Sequence, residues 1–413
     1  MYQIIKRAKT ALYFPVAAYF RFWARIRLQR WRPKIIVITG STGKTFLLSL
    51  FSHQLGNKAC YTFGANSAFG IPFYLLNMRR KSYSVFEWLL FFFQAPFSAW
   101  KKIPSQKLLF VEADCDRTGE GKFLASFLHP DITLWQNVSL SHSGNFFPGS
   151  LESIAYEFGY FLKYTKNYVL VNEDSQAIEK QLSRTAAKII GFKKNDLRKY
   201  EVSLKGTDFV TAEMICHLDY ILPKDSFYAL KMLYQTMSLL GQAMRKDFSA
   251  LRLEPGRNTI FKGIRETTIV DSTYNSNLSS TQAMIETFNV LSAPKKWLIV
   301  GDMVDLGENE EKEHGRLAEI LQKSDFEKLI LVGKRNLAYT LPQLKNKDVV
   351  AFSRPRQGLE YLLKNLSGKE LILIKGAGFL EVIVETLLKD PEDKRYLCRR
   401  EKVWEERRKK FYL

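Results

Sequence analysis

The feature that most constrains this fold is an apolar run at residues 35–39 that leads directly into a glycine-rich loop, Gly40-Ser41-Thr42-Gly43-Lys44-Thr45. A stretch with helical spacing follows at residues 46–55. A strand, loop and helix in this order gather backbone N–H groups, a helix N-terminus and a lysine around one anion. We therefore predict that the loop binds the phosphates of ATP. Lys44 would neutralise the β- and γ-phosphates, and Thr45 would offer its hydroxyl to Mg²⁺.

The loop is shorter than the general phosphate-loop pattern. That pattern places a glycine five positions before the second glycine, and Ile38 stands there instead. A Gly-Lys-Thr triplet alone often occurs by chance. Its position at the end of an apolar strand is what favours nucleotide binding.

From residue 34 onward, β-rich runs alternate with helical stretches, which is typical of a doubly wound α/β fold. Strands are predicted at residues 35–39, 108–112, 132–136, 168–172, 268–272, 297–301, 329–333, 349–352 and 371–375. A helix is predicted at residues 226–244. We expect a basic leader at 1–33, a central P-loop ATPase-like parallel-sheet domain at 34–255, a C-terminal Rossmann-like domain at 256–390 and a charged tail at 391–413. The stretch 390–413 is predicted to be a solvated helix.

The charge of the chain is large and uneven. It carries 62 Lys and Arg against 42 Asp and Glu, a formal net charge of +20, and its first acidic residue is Glu87. No nucleic-acid-binding signature accompanies this charge, so an anionic membrane surface is the favoured partner and nucleic acid is not. Residues 1–32 mix aromatic and basic residues, and the aromatic stretch 84–100 is bracketed by basic residues at 79–81 and 101–102. Neither segment has the roughly 20 apolar residues of a membrane span. Both segments are interpreted either as interfacial anchors or as core helices with exposed basic ends.

The four cysteines lie far apart in the sequence, without the paired spacing of a disulfide framework or a zinc site. This usage fits a reducing compartment. We expect a cytoplasmic protein, with peripheral attachment to the inner face of the membrane if the basic segments are anchors.

Several later segments extend the phosphate loop into a longer series of motifs. In chain order they are Asn66-Ser67-Ala68-Phe69-Gly70-Ile71-Pro72, Glu112, Gly119-Glu120, His129-Pro130-Asp131, Asn137, His142, Gly256-Arg257, residues 271–277, residues 301–308 with His314, and Lys375-Gly376-Ala377. Their order and spacing resemble the Mur ligase family over roughly residues 34–390, most closely its MurF branch, which adds D-alanyl-D-alanine in peptidoglycan precursor synthesis.

The resemblance implies an ATP-dependent ligase that forms an amide bond through an acyl phosphate. It also implies that Glu112 and His142 are ligands of a second Mg²⁺. Many members carry a carbamylated lysine about fifteen residues after this histidine, where Glu157 stands here. We hypothesise that the Glu157 carboxylate replaces the carbamate. The alternatives are a buried structural histidine at 142 and an exposed helix glutamate at 157.

In the C-terminal half, the resemblance implies that Arg257 and Asp271 grip the nucleotide and that Asn275 lines the cleft. Lys375 is a candidate contact for the substrate carboxylate or phosphate, with a surface lysine near a strand end as the alternative. Tyr228 stands where an adenine-reading asparagine is often found.

The expected substrates are a muramoyl peptide with a free carboxylate and an amine such as D-alanyl-D-alanine. MurF enzymes begin with a domain that holds the UDP-sugar, and we expect that domain to be absent here. A lipid-linked, pseudomurein-like or polyglutamate substrate therefore stays open beside a UDP-linked one. A non-catalytic, membrane-attached ATP-binding scaffold is the alternative of another class.

Overall fold

The computed structural model describes residues 2–80, 84–401 and 404–408, and the side chains of residues 2–10 and 85 lie outside that description. The chain forms two compact units. The first comprises Met1–Val138 and Glu152–Phe192, and the second comprises Ser139–Leu151 and Lys193–Leu413. Segment 193–255 thus groups with the second unit.

The first unit is a parallel sheet flanked by helices. Its strands are β1 (Lys34–Thr39), β2 (Ala59–Tyr61), β3 (Leu108–Glu112), β4 (Ile132–Trp135), β5 (Tyr168–Asn172) and β6 (Lys188–Phe192), in the order β2-β3-β1-β4-β5-β6. Its helices are α1 (Tyr2–Trp31), α2 (Lys44–Leu55), α3 (Gly70–Leu75), α4 (Val85–Trp100), α5 (Glu120–Leu128), α6 (Leu151–Tyr164) and α7 (Gln176–Glu179). The central strand β1 is buried along both faces, which explains its unbroken apolar run.

Helix α1 is part of this packed unit. Ala17, Phe20 and Ala24 are buried at helical spacing. The helix lies against α3 and α4. Three of its arginines donate to backbone carbonyl groups in the last turns of neighbouring helices: Arg27 to Ser98, Arg30 to Ala99 and Arg25 to Ser126. Arg21 donates to the Phe123 carbonyl within α5. Cations suit helix C-termini, so the basic leader stabilises the fold from within.

The second unit holds a mixed sheet and a small antiparallel one. Strands β7 (Leu197–Ser203), β8 (Gly206–Thr211) and β9 (Ile215–Leu218) form the small sheet. Helix α8 (Ser226–Leu239) follows. The strands of the larger sheet are β10 (Thr259–Lys262), β11 (Thr268–Ser272), β12 (Lys296–Gly301), β13 (Lys328–Val332), β14 (Val349–Phe352) and β15 (Leu371–Lys375). They lie in the order β10-β11-β15-β12-β13-β14, and β10 is antiparallel to its neighbour β11. Its helices are α9 (Leu278–Val290), α10 (Glu310–Gln322), α11 (Pro355–Asn365) and α12 (Glu381–Leu387).

The α/β fold class is confirmed, and the predicted strands form with shifts of at most one residue at an end. The helix predicted at 226–244 ends earlier, at Leu239. The solvated helix predicted at 390–413 is wrong for residues 390–401. There a short 3₁₀ turn is followed by buried Leu397 and Cys398, and Arg399 pairs with Glu381 at 3.1 Å. Residues 404–408 are helical and largely exposed, as predicted. Residues 402, 403 and 409–413 of that prediction lie outside the described part of the chain.

Among the described helices, none combines the length and apolarity that crossing a bilayer requires.

Candidate active site

The glycine-rich loop lies at the carboxyl end of β1, between the ends of β3 and β4. Gly40 and Gly43 have φ angles of 121° and 80°, which side-chain-bearing residues rarely adopt. A Cβ atom on Gly40 would lie 2.8 Å from the Asn137 carbonyl oxygen, and one on Gly43 would lie 2.7 Å from Gln136 Oε1. Both positions therefore require glycine for conformation and for space.

Asn137 clamps the loop from the end of β4. Its side-chain oxygen accepts from the Thr42 N–H at 2.8 Å, and its amide nitrogen donates to the Thr42 carbonyl at 3.1 Å. Its own carbonyl accepts from the Ser41 N–H at 3.2 Å. These three hydrogen bonds pre-form the loop, which lowers the ordering cost of binding an anion there.

Lys44 is buried among acidic groups at the first turn of α2. Its Nζ lies 2.8 Å from Asp114 Oδ2 and donates to the Gly40 carbonyl. Burial acts to lower the pKa of Lys44, but the carboxylates of Asp114 and Glu112 outweigh it and raise the pKa above the ordinary value. Lys44 is therefore a stable cation at the end of the loop, where α2 begins.

Thr45 and Glu112 bring two hard oxygen donors together. The Thr45 hydroxyl donates to Glu112 Oε2 at 2.8 Å, and both side chains are buried. A hydroxyl and a carboxylate next to a phosphate loop suit Mg²⁺, which takes oxygen ligands and keeps several from phosphates and water. Within the described residues of this unit, no three His, Cys, Asp or Glu side chains form a metal-ligating group. Phosphate and water would supply the remaining ligands of an ion bound by this pair.

Glu157 is buried on α6, at 5% exposure, so it is not the exposed helix glutamate that one interpretation allowed. Its Oε2 accepts from the Gly121 N–H at 3.0 Å, in the first turn of α5. A carboxylate at a helix N-terminus satisfies a free N–H and interacts favourably with the helix dipole. The residue has a structural role whether or not it also serves chemistry.

Glu120 organises the segment at residues 66–72, a role that the sequence analysis did not identify. Its fully buried carboxylate accepts from the Ala68 N–H at 2.8 Å, the Tyr13 hydroxyl at 2.9 Å and the Asp116 N–H at 3.1 Å. Burial raises the pKa of Glu120, and these hydrogen bonds work against that rise. The network links α1 to the segment at residues 66–72. The segment and Glu120 were recognised as sequence motifs, but the contact with Tyr13 was not predicted.

In the second unit, adjacent strands β11 and β15 bring Asp271 and Lys375 to one edge of the sheet, where Ser272 pairs with Lys375 in register. Lys375 Nζ donates to the Asn275 carbonyl at 2.7 Å. Lys375 is buried and is not the surface lysine considered as an alternative. Burial and the nearby Arg257 guanidinium lower the pKa of Lys375 to about 7, although Asp271 opposes this.

Asp271 has one satisfied and one orphaned oxygen. Oδ1 accepts from both the N–H and the hydroxyl of Thr273, whereas Oδ2 is buried without a hydrogen-bond partner among the described residues. Burial raises the pKa of Asp271 to about 6. Arg257 lies over the Tyr274 ring at 4.3 Å, and its Nε is likewise buried with no hydrogen-bond partner in the described part of the chain. These two orphaned groups are suited to receive a polar ligand.

His142 belongs to the second unit. Its Nδ1 lies 3.5 Å from Asp305 Oδ2, and this contact with His142 lowers the pKa of Asp305. The surrounding turn is bound to the same loop, because Ser143 donates to the Leu306 carbonyl and the Gly144 N–H donates to that of Asp305. The histidine is partly exposed, so it is not the buried structural histidine considered as an alternative.

Comparison with known proteins gives a consistent picture. Residues 256–378 match the family described as Mur ligase, glutamate ligase domain. The chain is 25% identical over 381 residues to the UDP-N-acetylmuramoyl-tripeptide--D-alanyl-D-alanine ligase of Buchnera aphidicola subsp. Baizongia pistaciae, covering 86% of this chain and 75% of that one. It is also 25% identical to the enzyme of the same name from Borreliella burgdorferi, covering 84% and 72%. The MurF ligase of Thermotoga maritima, solved with ADP, has the same fold, with a TM-score of 0.73, 20% identity and coverage of 95% and 84%.

Proposed function

We propose that this chain is an ATP-dependent, ADP-forming ligase of the Mur family and that it joins a muramoyl peptide carboxylate to the amine of D-alanyl-D-alanine. The named relatives support this amine and this precursor. The product would be a peptidoglycan precursor with an extended peptide.

The observation that carries the proposal is the pre-formed phosphate loop, with its buried cation and its Thr45–Glu112 pair. Transfer of a γ-phosphoryl group depends mainly on positioning and on charge neutralisation. In our proposal, residues 40–45 hold ATP and Lys44 balances the charge of its phosphates. Thr45 and Glu112 would hold Mg²⁺, which when bound supplies further positive charge to those phosphates.

We also propose roles for the other residues that the sequence singled out. Glu112 and His142 are assigned to a second Mg²⁺, as the resemblance implies, and the Glu157 carboxylate is assigned to the place of the carbamate near that ion. In the C-terminal domain, Arg257, Asp271 and Asn275 are assigned to the nucleotide. The orphaned Asp271 Oδ2 and Arg257 Nε support that assignment, because each is a buried polar atom in need of a partner.

Lys375 is assigned to the substrate carboxylate or the transferred phosphate. A lysine with a pKa of about 7 gains its proton readily when an anion arrives, since the anion favours the charged form. The proposed reaction forms an acyl phosphate from the carboxylate and ATP, and the amine then displaces inorganic phosphate. Each step places an anion where a cationic side chain would stabilise it.

The test is a release assay for ADP and phosphate, with mass analysis of the product. UDP-linked and lipid-linked muramoyl tripeptides would each be paired with D-alanyl-D-alanine, D-alanine and L-glutamate. We expect phosphate release and a product mass increased by the dipeptide residue only with D-alanyl-D-alanine.

Lys231→Ala serves as the matched control, since this buried lysine pairs with Glu213 at 2.7 Å. It should retain activity that Lys44→Ala loses. ATP binding without phosphate release in any pairing would contradict the proposal and favour the non-catalytic scaffold.

A further inference from the structure

Helix α4 presents a continuous apolar stripe to the outside of the first unit. Six residues recur at three-, four- and seven-residue spacing along one side of the helix, each between 52 and 79% exposed: Phe86, Leu89, Leu90, Phe93, Phe97 and Trp100. The stripe offers on the order of 700 Å² of apolar surface. The largest apolar patch on a typical monomer is roughly 300–600 Å², so this stripe calls for a partner.

The opposite side of α4 is already filled, so the stripe cannot turn inward. Phe91, Ala95 and Ala99 are buried against neighbouring helices. The Phe91 ring lies 5.0 Å from that of Phe73, and the Tyr19 hydroxyl donates to the Phe92 carbonyl at 2.7 Å. The helix is held with its apolar stripe permanently outward.

Cationic residues flank both ends of the stripe. Arg79 and Arg80 are exposed before α4, and Lys101 and Lys102 are exposed after it. At the far end, the Arg30 guanidinium lies 5.1 Å from the centre of the Trp100 ring. The only acidic residue of α4 is Glu87, in its first turn, where the helix dipole favours a carboxylate.

We propose that α4 docks this protein on an anionic lipid bilayer, with the six stripe residues in the interface and the flanking cations on lipid phosphates. An amphipathic helix with aromatic and aliphatic residues on one side and Lys or Arg around it binds such surfaces by apolar burial together with charge attraction. This site is independent of the proposed ligase activity. It also differs from a membrane-bound α1, because the described arginines of α1 donate to backbone carbonyl groups within the fold.

A second copy of the chain is a poorer occupant. Both ends of the stripe are basic, so pairing two stripes would place cations against cations in either orientation. An anionic lipid surface carries the opposite charge and would attract the same cations. The charge pattern therefore selects the bilayer over self-association.

The experiment is co-sedimentation of the full chain with vesicles of phosphatidylcholine, with and without phosphatidylglycerol. We expect binding to the anionic vesicles that weakens as salt rises. Leu90→Glu combined with Phe93→Glu should reduce the partition coefficient roughly tenfold or more. The matched control is Ile215→Glu with Val290→Glu, which changes two apolar residues, 77 and 65% exposed, in the second unit, and it should bind like the wild type.

Circular dichroism and thermal unfolding check that each variant folds. If the α4 variant does not, quenching of the wild-type protein by brominated lipid gives a second readout. That quenching should fall in Trp100→Phe. Equal binding by the α4 variant and the wild type, or no binding of the wild type to either vesicle, would overturn the proposal. So would a wild-type dimer in light scattering that the α4 substitutions dissolve.

Discussion

Two buried lysines at the carboxyl ends of two parallel strand systems show how differently the same residue can be used. Lys44 is 6% exposed and Lys375 is 4% exposed. Lys44 faces the carboxylates of Asp114 and Glu112, which raise its pKa despite burial. For Lys375, burial and the charge of Arg257 lower the pKa to about 7, although Asp271 acts to raise it.

The comparison teaches that burial alone does not decide the charge of a lysine. The sum of neighbouring charges decides it. Lys44 is a constant cation suited to polyphosphate, whereas Lys375 can take up a proton near neutral pH when an anion arrives. A ligase that binds both a nucleotide and a newly formed acyl phosphate can use both kinds of lysine.

The largest effect should come from removing the constant cation. Lys44→Ala is expected to lower ATP-dependent product formation on the order of 1,000-fold, because charge developing on the transferred phosphoryl group loses its buried partner. Lys375→Ala should cost less, about 10- to 100-fold, because its charge depends on the ligand. Both are measured as kcat/KM for phosphate release. A Lys44→Ala enzyme with more than a tenth of wild-type activity would break the comparison.

The second effect is on stability. The pKa of Lys375 is about 7 in the folded chain and 10.5 for an unperturbed lysine, so between these values the unfolded chain binds more protons. The unfolding free energy should therefore rise with pH across this window, on the order of 3–5 kcal/mol from this group. Below pH 7 both states are protonated and the dependence ends.

Lys375→Met isolates that contribution. The variant should be the more stable protein at pH 6.5, and its advantage should shrink as the pH approaches 9.5. Urea unfolding at both pH values measures the difference. Asp271 gives the opposite sign, because its pKa of about 6 in the folded chain lies above the usual 3.8. The free energy of unfolding that this group contributes is therefore lost as the pH rises through 6. An advantage of Lys375→Met that is identical at both pH values would refute the low pKa.

The strand framework was readable from sequence because strands buried on both faces are unbroken apolar runs, as at residues 108–112 and 371–375. Strands β2, β6 and β7 to β10 were not predicted. Strands β7 and β9 mix polar with apolar residues, which a polar loop resembles. The tail was misread because its high charge hid Leu397 and Cys398, which are buried.

Site residues could be predicted where a motif is local in the sequence. They could not be predicted where a contact joins parts of the chain that are far apart in sequence. Lys44 and Thr45 stand out beside their glycines, and Glu112 stands at a strand end. The Asn137 clamp joins groups 95 positions apart, and the Tyr13–Glu120 contact spans 107. The basic charge of α1 was assigned to an external anion, since a sequence does not reveal the carbonyl groups that its arginines meet.

The Asn137 side chain tests how far the role of Lys44 depends on the phosphate loop, because it holds that loop in place through Thr42. Asn137→Ala removes two side-chain hydrogen bonds to Thr42 and should weaken ATP binding about tenfold, measured by calorimetry. The control is Asn365→Ala, whose side-chain nitrogen donates to the Tyr361 carbonyl within α11. Unchanged ATP affinity in Asn137→Ala would mean that the loop keeps its shape without the clamp.

The smallest effect is expected at Glu157, where a structural and a chemical role can be separated. Glu157→Gln keeps an oxygen to accept from the Gly121 N–H, so the unfolding free energy should change by less than about 1 kcal/mol. If the negative charge helps to hold a metal, turnover should fall several-fold and recover in part at higher Mg²⁺ concentration. Glu157→Lys assayed with and without bicarbonate extends the test, because a carbamylated lysine would restore the charge. Activity equal to the wild type in Glu157→Gln, and in Glu157→Lys under both conditions, would reduce Glu157 to a cap of α5 and leave the metal to Thr45, Glu112 and the phosphates.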